Sequence, residues 1–559
     1  MKRLSVLVVL AFLCANSFGQ VKSNAMIRRA MNDELKRSMD SLLLEGYEKP
    51  FFIAYTITDT KTLSIGATLG SLTHSNEFVN RGKYTRVMVG DYDFNDESYD
   101  PRGTGNSTFP SNDIAVPIDD DYLGIRRSLW SSTDAIYKSA GKIYKDNMFY
   151  AEQKKKEGNE VQHRSFAKVT PVQMEIEGIE EDYDKVELEE FVKKVSLLFN
   201  NLSEIEMSRV VLSCHYGSAY IVNSEGVHIK TPINLASLYV LASYTNDSKS
   251  MYDQILHFER TTKNLPSYDQ IKGEIDIMLE NFENRAVAED FDDSYDGPVL
   301  FVGDAVPYLF ERTLFHTNSL IANHSVELDA GNRYNDMDRG AKIGKRIISN
   351  KISVVSIPTL RKFSNTELLG SYQVDFEGVI PDDELLLIEN GVLKATMNDR
   401  TIVDSTQTAN GHRRLSQDIG PGVLSVISQN GEEISSLKAK LIKEAKDEGL
   451  EYAVIVRQME NSNFGEVDVY RVSLESGEET LMKSALLRSL STKSLNKVIG
   501  LSSERNAYNL PTQGSSELCS YIVPTAILIE DIEIEKSYSN YKSENTIVSN
   551  PVGSKQSTE

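Results

Sequence analysis

The sequence predicts an α+β protein of two domains with much antiparallel sheet. Its 559 residues, 40% of them hydrophobic, exceed what one core usually holds. Helical periodicity is confined to separate segments, such as 121–156 and 186–200. Between these segments lie short runs of β-branched and aromatic residues bounded by turn residues, which are typical of antiparallel strands. Because strands and helices do not alternate regularly, the pattern favours α+β over α/β.

The first nineteen residues predict a cleavable signal peptide. Lys2 and Arg3 precede an apolar run, and small residues end it before Gln20. The run is shorter than the ~20 residues that a membrane span needs. A lipoprotein signal ending at Cys14 is the alternative, although the bulky Leu13 directly precedes that cysteine. We therefore expect an exported, periplasmic protein without a membrane span.

Charge and cysteine content exclude several classes of protein. The net charge of −22 argues against binding nucleic acid or anionic lipid. Only Cys214 and Cys519 follow the predicted leader, and two cysteines are too few for a disulfide scaffold. The hydrophobic core must therefore stabilise the fold.

An N-terminal domain is predicted over residues 24–288. Helical periodicity covers 24–44, and strand-like segments follow at 51–57 and 63–69 with a turn between them. Ser267 and Gln270 have the spacing of a capping box, so a further helix is predicted to begin there.

The acidic stretch 289–296 predicts a linker between the domains. Beyond it, short strands alternate with turns, which predicts a β-rich domain over 297–536. The tail, 537–559, is rich in Ser, Asn and Lys and is predicted to be disordered.

Several segments resemble the TldD/PmbA metallopeptidase family, and in particular its exported, longer branch. In the N-terminal half these are the strand Phe52–Tyr55 and the turn Tyr220–Gly226. The C-terminal half contributes more, in the following order: Pro298–Phe301 before the helix carrying Glu311, Ser353–Val355 with Pro358–Leu360, Gly370–Tyr372 with Asp375–Val379, Asn390–Lys394 with Asn410–His412, and Ile522–Glu530. Their order and spacing, more than any one block, support the resemblance.

The resemblance implies an N-terminal α/β domain, a C-terminal β-rich domain, a cleft between them and paired protomers. Catalytic members carry a His-Glu-x-x-x-His helix, and a late cysteine completes their zinc site. Imidazoles and a thiolate bind zinc, one position stays open for water, and the glutamate accepts the water proton.

This chain departs from the motif at both histidines. The corresponding helix places Phe310 and Phe315 at the metal positions and keeps only Glu311. A phenyl ring has no lone pair for a metal, so we expect no zinc and the space to be filled by packing. Glu311 is either a relic of the general base or a surface residue near Arg312.

Displaced ligands are the alternative. His316 and His324 lie eight residues apart, or about 12 Å along a helix, so they can share an ion only if the helix breaks between them. Cys519 is either the late zinc cysteine or a small buried thiol.

Other polar residues are candidates to line the cleft. Each has an ordinary structural alternative in a turn or a loop hydrogen bond. These candidates are Asn223, Ser224, Glu225, Asp375, Glu377, Asn410 and His412.

The sequence thus favours an exported, non-catalytic TldD/PmbA-like protein without a cofactor. It would bind a peptide ligand, or form a homo-oligomer or a hetero-oligomer with a relative that carries the complete motif. An active metallopeptidase with displaced ligands, which would require zinc, remains the alternative.

Overall fold

The structure is a computed structural model. It describes residues 25–99, 114–158, 163–179, 183–246, 249–291, 294–315, 320–322, 342–402, 407–415, 419–459, 466–483, 485–488, 490–511 and 517–537. The predicted signal peptide, His316, His324 and nearly all of the predicted disordered tail lie outside these residues. No helix in the described part of the chain is both long enough and apolar enough to cross a membrane.

The N-terminal domain is built on unusually long strands. After helix α1 (25–41) come β1 (Pro50–Thr68) and β2 (Ser71–Val89), which pair along their whole length. The prediction of two strands with a turn between 57 and 63 is wrong, because that stretch stays paired with β2 without a break. The turn lies instead at Leu69–Gly70, where both residues have positive φ, as a two-residue hairpin requires.

The sheet of this domain carries helices on one side. Its strand order is β2-β1-β5-β6-β4, and β7 also pairs with β6. The capping box at Ser267 and Gln270 is present, as predicted. The remaining elements are α2 (Tyr122–Lys156), β3 (Ser165–Phe166), β4 (Gln173–Glu175), α3 (Lys185–Ser196), β5 (Ile205–Asn223), β6 (His228–Asn246), β7 (Lys249–Glu259) and α4 (Tyr268–Val287).

The C-terminal domain contains two larger sheets. The first has the order β13-β12-β9-β15-β22-β21, and the second has the order β16-β8-β23-β19-β17-β18. Strand β16 also pairs with β17, so the second sheet closes on itself and hides most of its edges. Strand β20 pairs with β23.

The elements of this domain have the following bounds: β8 (Ser294–Val302), α5 (Ala305–Phe310) with a π-helical turn (Glu311–Phe315), β9 (Ile352–Ser356), β10 (Lys362–Phe363), β11 (Thr366–Glu367), β12 (Leu385–Glu389), β13 (Val392–Leu393), β14 (Thr401–Ile402), β15 (Val423–Ser428), α6 (Ile434–Asp447), β16 (Tyr452–Met459), β17 (Glu466–Ser473), β18 (Glu479–Leu481), β19 (Ala485–Leu487), β20 (Val498–Leu501), β21 (Arg505–Pro511), β22 (Leu518–Pro524) and β23 (Ala526–Lys536).

One core joins both C-terminal sheets to α5. It includes Val354 of the first sheet, Val299 of the second and Leu309 of the helix, all fully buried. The predicted linker is shorter than expected, because β8 already begins at Ser294 and Tyr295 packs into this core. The predicted α+β class, with antiparallel sheets and a β-rich C-terminal region, is confirmed.

Candidate functional site

The helix that aligns with the family's metal-binding motif ends in a π-helical turn. Residues five apart, such as Phe310 and Phe315, point to different sides of a regular α-helix, which has 3.6 residues per turn. The wider turn over Glu311–Phe315 brings them to one side, and their ring centroids lie 5.7 Å apart in a stacked arrangement. The same turn would bring metal ligands five residues apart to one side, and this chain has the turn without the ligands.

The space beside these rings is filled by a third aromatic side chain. Tyr521 of β22 stacks on Phe315 with a centroid distance of 5.0 Å. Phe310 and Tyr521 are fully buried, and Phe315 is 1% exposed. The three rings therefore form one aromatic stack inside the core that joins the two C-terminal sheets. The sequence predicts packing at the metal positions but gives no indication of the tyrosine.

Glu311, which directly follows Phe310 in the chain, is also buried, with 2% of its surface exposed. The alternative of a surface glutamate is therefore wrong. Buried carboxylates are costly without compensation, so the burial of Glu311 requires an interaction within the fold.

Cys519 is also inside this core. It is 2% exposed, and its Sγ donates a hydrogen bond to the carbonyl oxygen of Pro421 at 2.9 Å. Cys214 is buried in the N-terminal domain, and the two cysteines are not joined by a disulfide. Cys519 thus fits the alternative of a small buried thiol.

The residues at the motif do not fit a zinc ion. Two stacked phenyl rings occupy the histidine positions and offer no lone pairs. Elsewhere in the described chain, no three His, Cys, Asp or Glu side chains are grouped so that they could hold a metal ion. His316 and His324, the proposed displaced ligands, lie outside the described residues.

Most of the predicted cleft residues lie where the two domains meet. Arg86 of β2 donates to Glu97 at 2.5 Å and also to Glu377 of the C-terminal domain. Arg400 of the C-terminal domain donates to Glu225 of the N-terminal domain through both terminal nitrogens, at 2.6 and 2.8 Å. We call this buried group the interdomain ionic cluster: Arg86, Arg400, Arg413, Glu97, Glu225, Glu377, Asp375 and Asp399.

Arg400 is the most completely enclosed charge in this cluster. Its side chain is fully buried, it donates twice to the carbonyl oxygen of Ala167, and its guanidinium lies 4.0 Å from the ring centroid of Phe166. All three guanidinium nitrogens are thereby used. The sequence does not single out Arg400, because nothing local distinguishes it from a surface arginine.

Two predicted candidates shape the turn that presents Glu225. The Asn223 side chain accepts from the backbone N–H groups of Glu225 and Val227, both at 3.0 Å. The Ser224 hydroxyl accepts from the Ile53 N–H at 3.1 Å. Asn223 and Ser224 thus act as turn residues. Their hydrogen bonds fix the turn from which Glu225 reaches Arg400.

Asp375 organises a second turn. One of its carboxylate oxygens accepts from the N–H groups of Glu377 and Val379, at 2.9 and 2.8 Å. Glu377 in turn accepts from the backbone N–H of Arg400 at 2.7 Å. Both carboxylates are therefore engaged within the fold.

His412 and Asn410 form a buried polar chain with Ser356. The Ser356 hydroxyl and the His412 Nε2 lie 2.9 Å apart, and the His412 Nδ1 lies 2.8 Å from the Asn410 side-chain oxygen. Burial lowers the pKa of His412 to about 3, so its imidazole is neutral at ordinary pH. This residue supports the loop, and whether any of the seven candidates borders a peptide cleft stays a prediction.

The carboxylates of the cluster have divergent pKa values. Burial, reinforced by Glu377, raises the pKa of Asp375 to about 7 and that of Asp399 to about 6. Burial alone would raise the pKa of Glu377, but Arg86, Arg413 and Arg400 lower it below its ordinary value. The five carboxylates outnumber the three arginines, so retaining a proton on an aspartate reduces the excess negative charge.

This arrangement predicts that the contribution of Asp375 to stability falls as pH rises through neutrality. A carboxyl whose pKa is higher in the folded chain than the ~3.9 of the unfolded chain stabilises the fold below both values, and that contribution is lost as pH rises through the folded pKa. Between pH 6.5 and 8, the folded chain loses most of the Asp375 proton, which lowers the stability. Over the same range the unfolded chain loses the His412 proton that burial already excludes from the fold, which raises the stability by a smaller amount. We therefore expect the free energy of unfolding, measured with urea, to drop by about 0.5 kcal/mol from pH 6.5 to 8.

Asp375→Asn should abolish this drop, whereas substitution of the exposed Asp382 by Asn should leave it unchanged. A free energy of unfolding that rises from pH 6.5 to 8 in the unmodified chain would contradict the assignment.

Comparison with known proteins agrees with this architecture. Residues 295–536 match the family model described as the PmbA/TldA metallopeptidase C-terminal domain. No curated protein sequence matches significantly. The C-terminal region is therefore a domain of the TldD/PmbA metallopeptidase type, and the resemblance that the sequence motifs predict is confirmed.

Three crystal structures share the fold of the chain. A proposed modulator of a DNA gyrase from Thermotoga maritima MSB8 has a TM-score of 0.56 and 15% identity, over 86% of this chain and 96% of that one. TldE from Thermococcus kodakarensis has a TM-score of 0.51 and 14% identity, over 90% and 100%. A proposed modulator of DNA gyrase from Bacteroides thetaiotaomicron VPI-5482 has a TM-score of 0.54 and 11% identity, over 92% and 99%. At these identities the likeness establishes the fold alone.

Proposed function

We propose that this protein is an exported, non-catalytic member of the TldD/PmbA family that binds extended peptides, alone or as the partner of a zinc-bearing relative. The observation that carries the proposal is the stack of Phe310, Phe315 and Tyr521, which fills the place of the metal ligands with buried rings. Zinc hydrolysis requires an open coordination position for water, and a packed aromatic core provides none.

The interdomain ionic cluster supports a binding role. Arg86–Glu377 and Arg400–Glu225 join the two domains through buried, charge-assisted hydrogen bonds. A further interdomain pair, Arg260 and Glu367, lies 2.9 Å apart. A binding protein gains affinity when its surfaces are held in place before the ligand arrives, because less entropy is lost on binding.

The proposal predicts peptide binding without cleavage. The purified full-length protein should raise the fluorescence anisotropy of fluorescein-labelled casein, an unfolded polypeptide, and should leave that casein uncut with or without 1,10-phenanthroline. Glu311→Gln serves as the matched control, because a carboxylate without a metal-bound water has no proton to accept, and the variant should behave as the parent does.

Cleavage by the purified protein that phenanthroline abolishes would contradict the non-catalytic assignment and favour displaced ligands. Failure to bind casein would contradict peptide binding by the protein alone. Capture of a relative that carries His-Glu-x-x-x-His in a two-component pull-down would then support the partner role.

A further inference from the structure

One edge of the N-terminal sheet is free over residues 74–80. Strand β2 pairs with β1 on one side, and within the described chain no strand pairs with its other side. Past this span the following chain covers the edge. Arg81 donates to the carbonyl oxygen of Pro117 at 3.0 Å. Lys83 donates to that of Ile114 at 2.7 Å. We call residues 74–80 the free edge of β2.

The free edge lacks the features that usually keep sheet edges from pairing. Natural edges are commonly protected by proline, by lysine or by a β-bulge. Residues 74–80 contain neither proline nor lysine. Their register with β1 is regular, because the irregularity nearest the turn lies between Leu72 and His74. A strand added here therefore meets a regular, unprotected row of backbone N–H and C=O groups.

Both sides of the free edge carry an exposed apolar residue. Phe78 is 51% exposed and Val79 is 49% exposed. Because consecutive residues of a strand point to opposite faces, these two side chains lie on opposite faces of the sheet. A ligand resting on one face would cover only one of them. An added strand has side chains on both faces and covers both, so this exposure favours strand pairing.

The charge of the free edge is balanced within its own sheet. Glu77 is its only acidic residue, and it forms an ion pair with Lys61 of β1. Glu77 also accepts from the Tyr183 hydroxyl at 3.4 Å. The net charge of −22 makes two copies of the chain repel each other over most of their surface. A contact between copies is therefore favoured where the local charge is balanced, as it is here.

We propose that a second copy of this chain pairs with the free edge, antiparallel, about a two-fold axis at Phe78. In this register Phe78 lies opposite Phe78 of the second copy, and Asn76 lies opposite Asn80 on both sides of the axis. Aromatic cross-strand pairs are favourable, and amides that face each other can both donate and accept. Glu77 faces Val79, whereas an axis one residue earlier would set Glu77 against Glu77.

This pairing joins two six-stranded sheets into one continuous sheet. Each copy uses the same edge, so the contact closes on itself and assembly stops at two copies. The same two-fold contact hides the backbone groups of both free edges from other chains. Self-association through this edge does not depend on peptide binding, so the two can be tested separately.

Analytical ultracentrifugation of the full-length protein tests the contact. The parent should self-associate. Phe78→Lys should weaken self-association roughly tenfold or more, because it removes the aromatic pair and sets two lysines against each other. Phe149→Lys is the matched control, since Phe149 is 64% exposed on α2, and this variant should associate as the parent does.

Two double variants test the register. Asn76→Lys combined with Asn80→Glu sets opposite charges against each other at both pairs and should preserve the dimer. Asn76→Lys combined with Asn80→Lys sets lysine against lysine at both pairs and should dissociate it. Within one copy the two positions lie roughly 13 Å apart along the strand, so their charges are largely screened from each other.

Cysteine cross-linking tests the position of the axis without disturbing charge. Phe78→Cys brings the two copies of this cysteine to about 5 Å between Cα atoms, which a disulfide can bridge, so mild oxidation should give a covalent dimer. Asn76→Cys leaves its two copies roughly 14 Å apart and should give none. Both natural cysteines of the described chain are buried.

A parent that stays monomeric, or self-association that survives Phe78→Lys, overturns the inference. So does equal association of the two double variants, or a cross-link at position 76 in place of 78. Where Phe78→Lys lowers the melting temperature, the double variants and the cross-link decide. Casein binding is measured on the same proteins. If the parent is monomeric and Phe78→Lys abolishes casein binding, the free edge takes peptide, and the inference is overturned while the proposed function stands.

Discussion

Replacement of Arg400 by alanine is expected to lower the free energy of unfolding by about 3–5 kcal/mol, because it leaves a buried acid without its counter-charge. Arg400 is fully buried, and Glu225, its bidentate partner from the other domain, is 13% exposed. The substitution also removes both hydrogen bonds to the Ala167 carbonyl and the contact with Phe166. Urea unfolding of the full-length protein measures the loss.

The control for this prediction is an arginine pair at the surface. Arg457 is 50% exposed beside Glu479, so Arg457→Ala should cost less than about 1 kcal/mol. Combining Arg400→Met with Glu225→Met should recover much of the loss, since replacing both members of a buried pair is far less costly than replacing one. Equal effects of the Arg400 and Arg457 substitutions would show that the interdomain pair does not stabilise the fold.

Phe315→Ala is expected to have an effect of similar size. The side chain lies between Phe310 and Tyr521, with centroid distances of 5.7 and 5.0 Å, and it is almost completely buried. Removal of a buried phenyl ring costs about 3–5 kcal/mol, because the cavity left behind collapses only in part.

The phenylalanine at position 149 offers a matched comparison, because 64% of its surface is exposed. Phe149→Ala should change the free energy of unfolding by no more than about 0.5 kcal/mol. If Phe315→Ala were equally mild, the three rings would not form a tightly packed core, and room for another group would exist at the motif.

Local patterns in the sequence predict the helices well and the long strands poorly. The start of α4 at Ser267 follows from a capping box, which involves only residues three apart. The continuity of β1 does not follow from its own residues, because the polar segment around Asp59 and Lys61 looks like a turn. It remains extended because β2 and β5 pair with it on both sides. Such tertiary pairing is not visible in a local window.

The same distinction applies to the candidate site. The loss of both metal-binding side chains at Phe310 and Phe315 is evident from the motif alone. The π-helical turn, the stacking of Tyr521 and the pairing of Arg400 with Glu225 depend on residues far apart in the chain. Glu225 and Glu377 could be singled out as turn residues, but only the structure shows that they meet arginines from the opposite domain.

The zinc content of the purified full-length protein tests the central claim most directly. After expression with zinc in the medium and dialysis without chelator, elemental analysis should find far less than one zinc per chain, because Phe310 and Phe315 provide no ligands. One zinc per chain, lost when His316 or His324 is replaced by alanine, would contradict the claim and show that displaced histidines hold the metal.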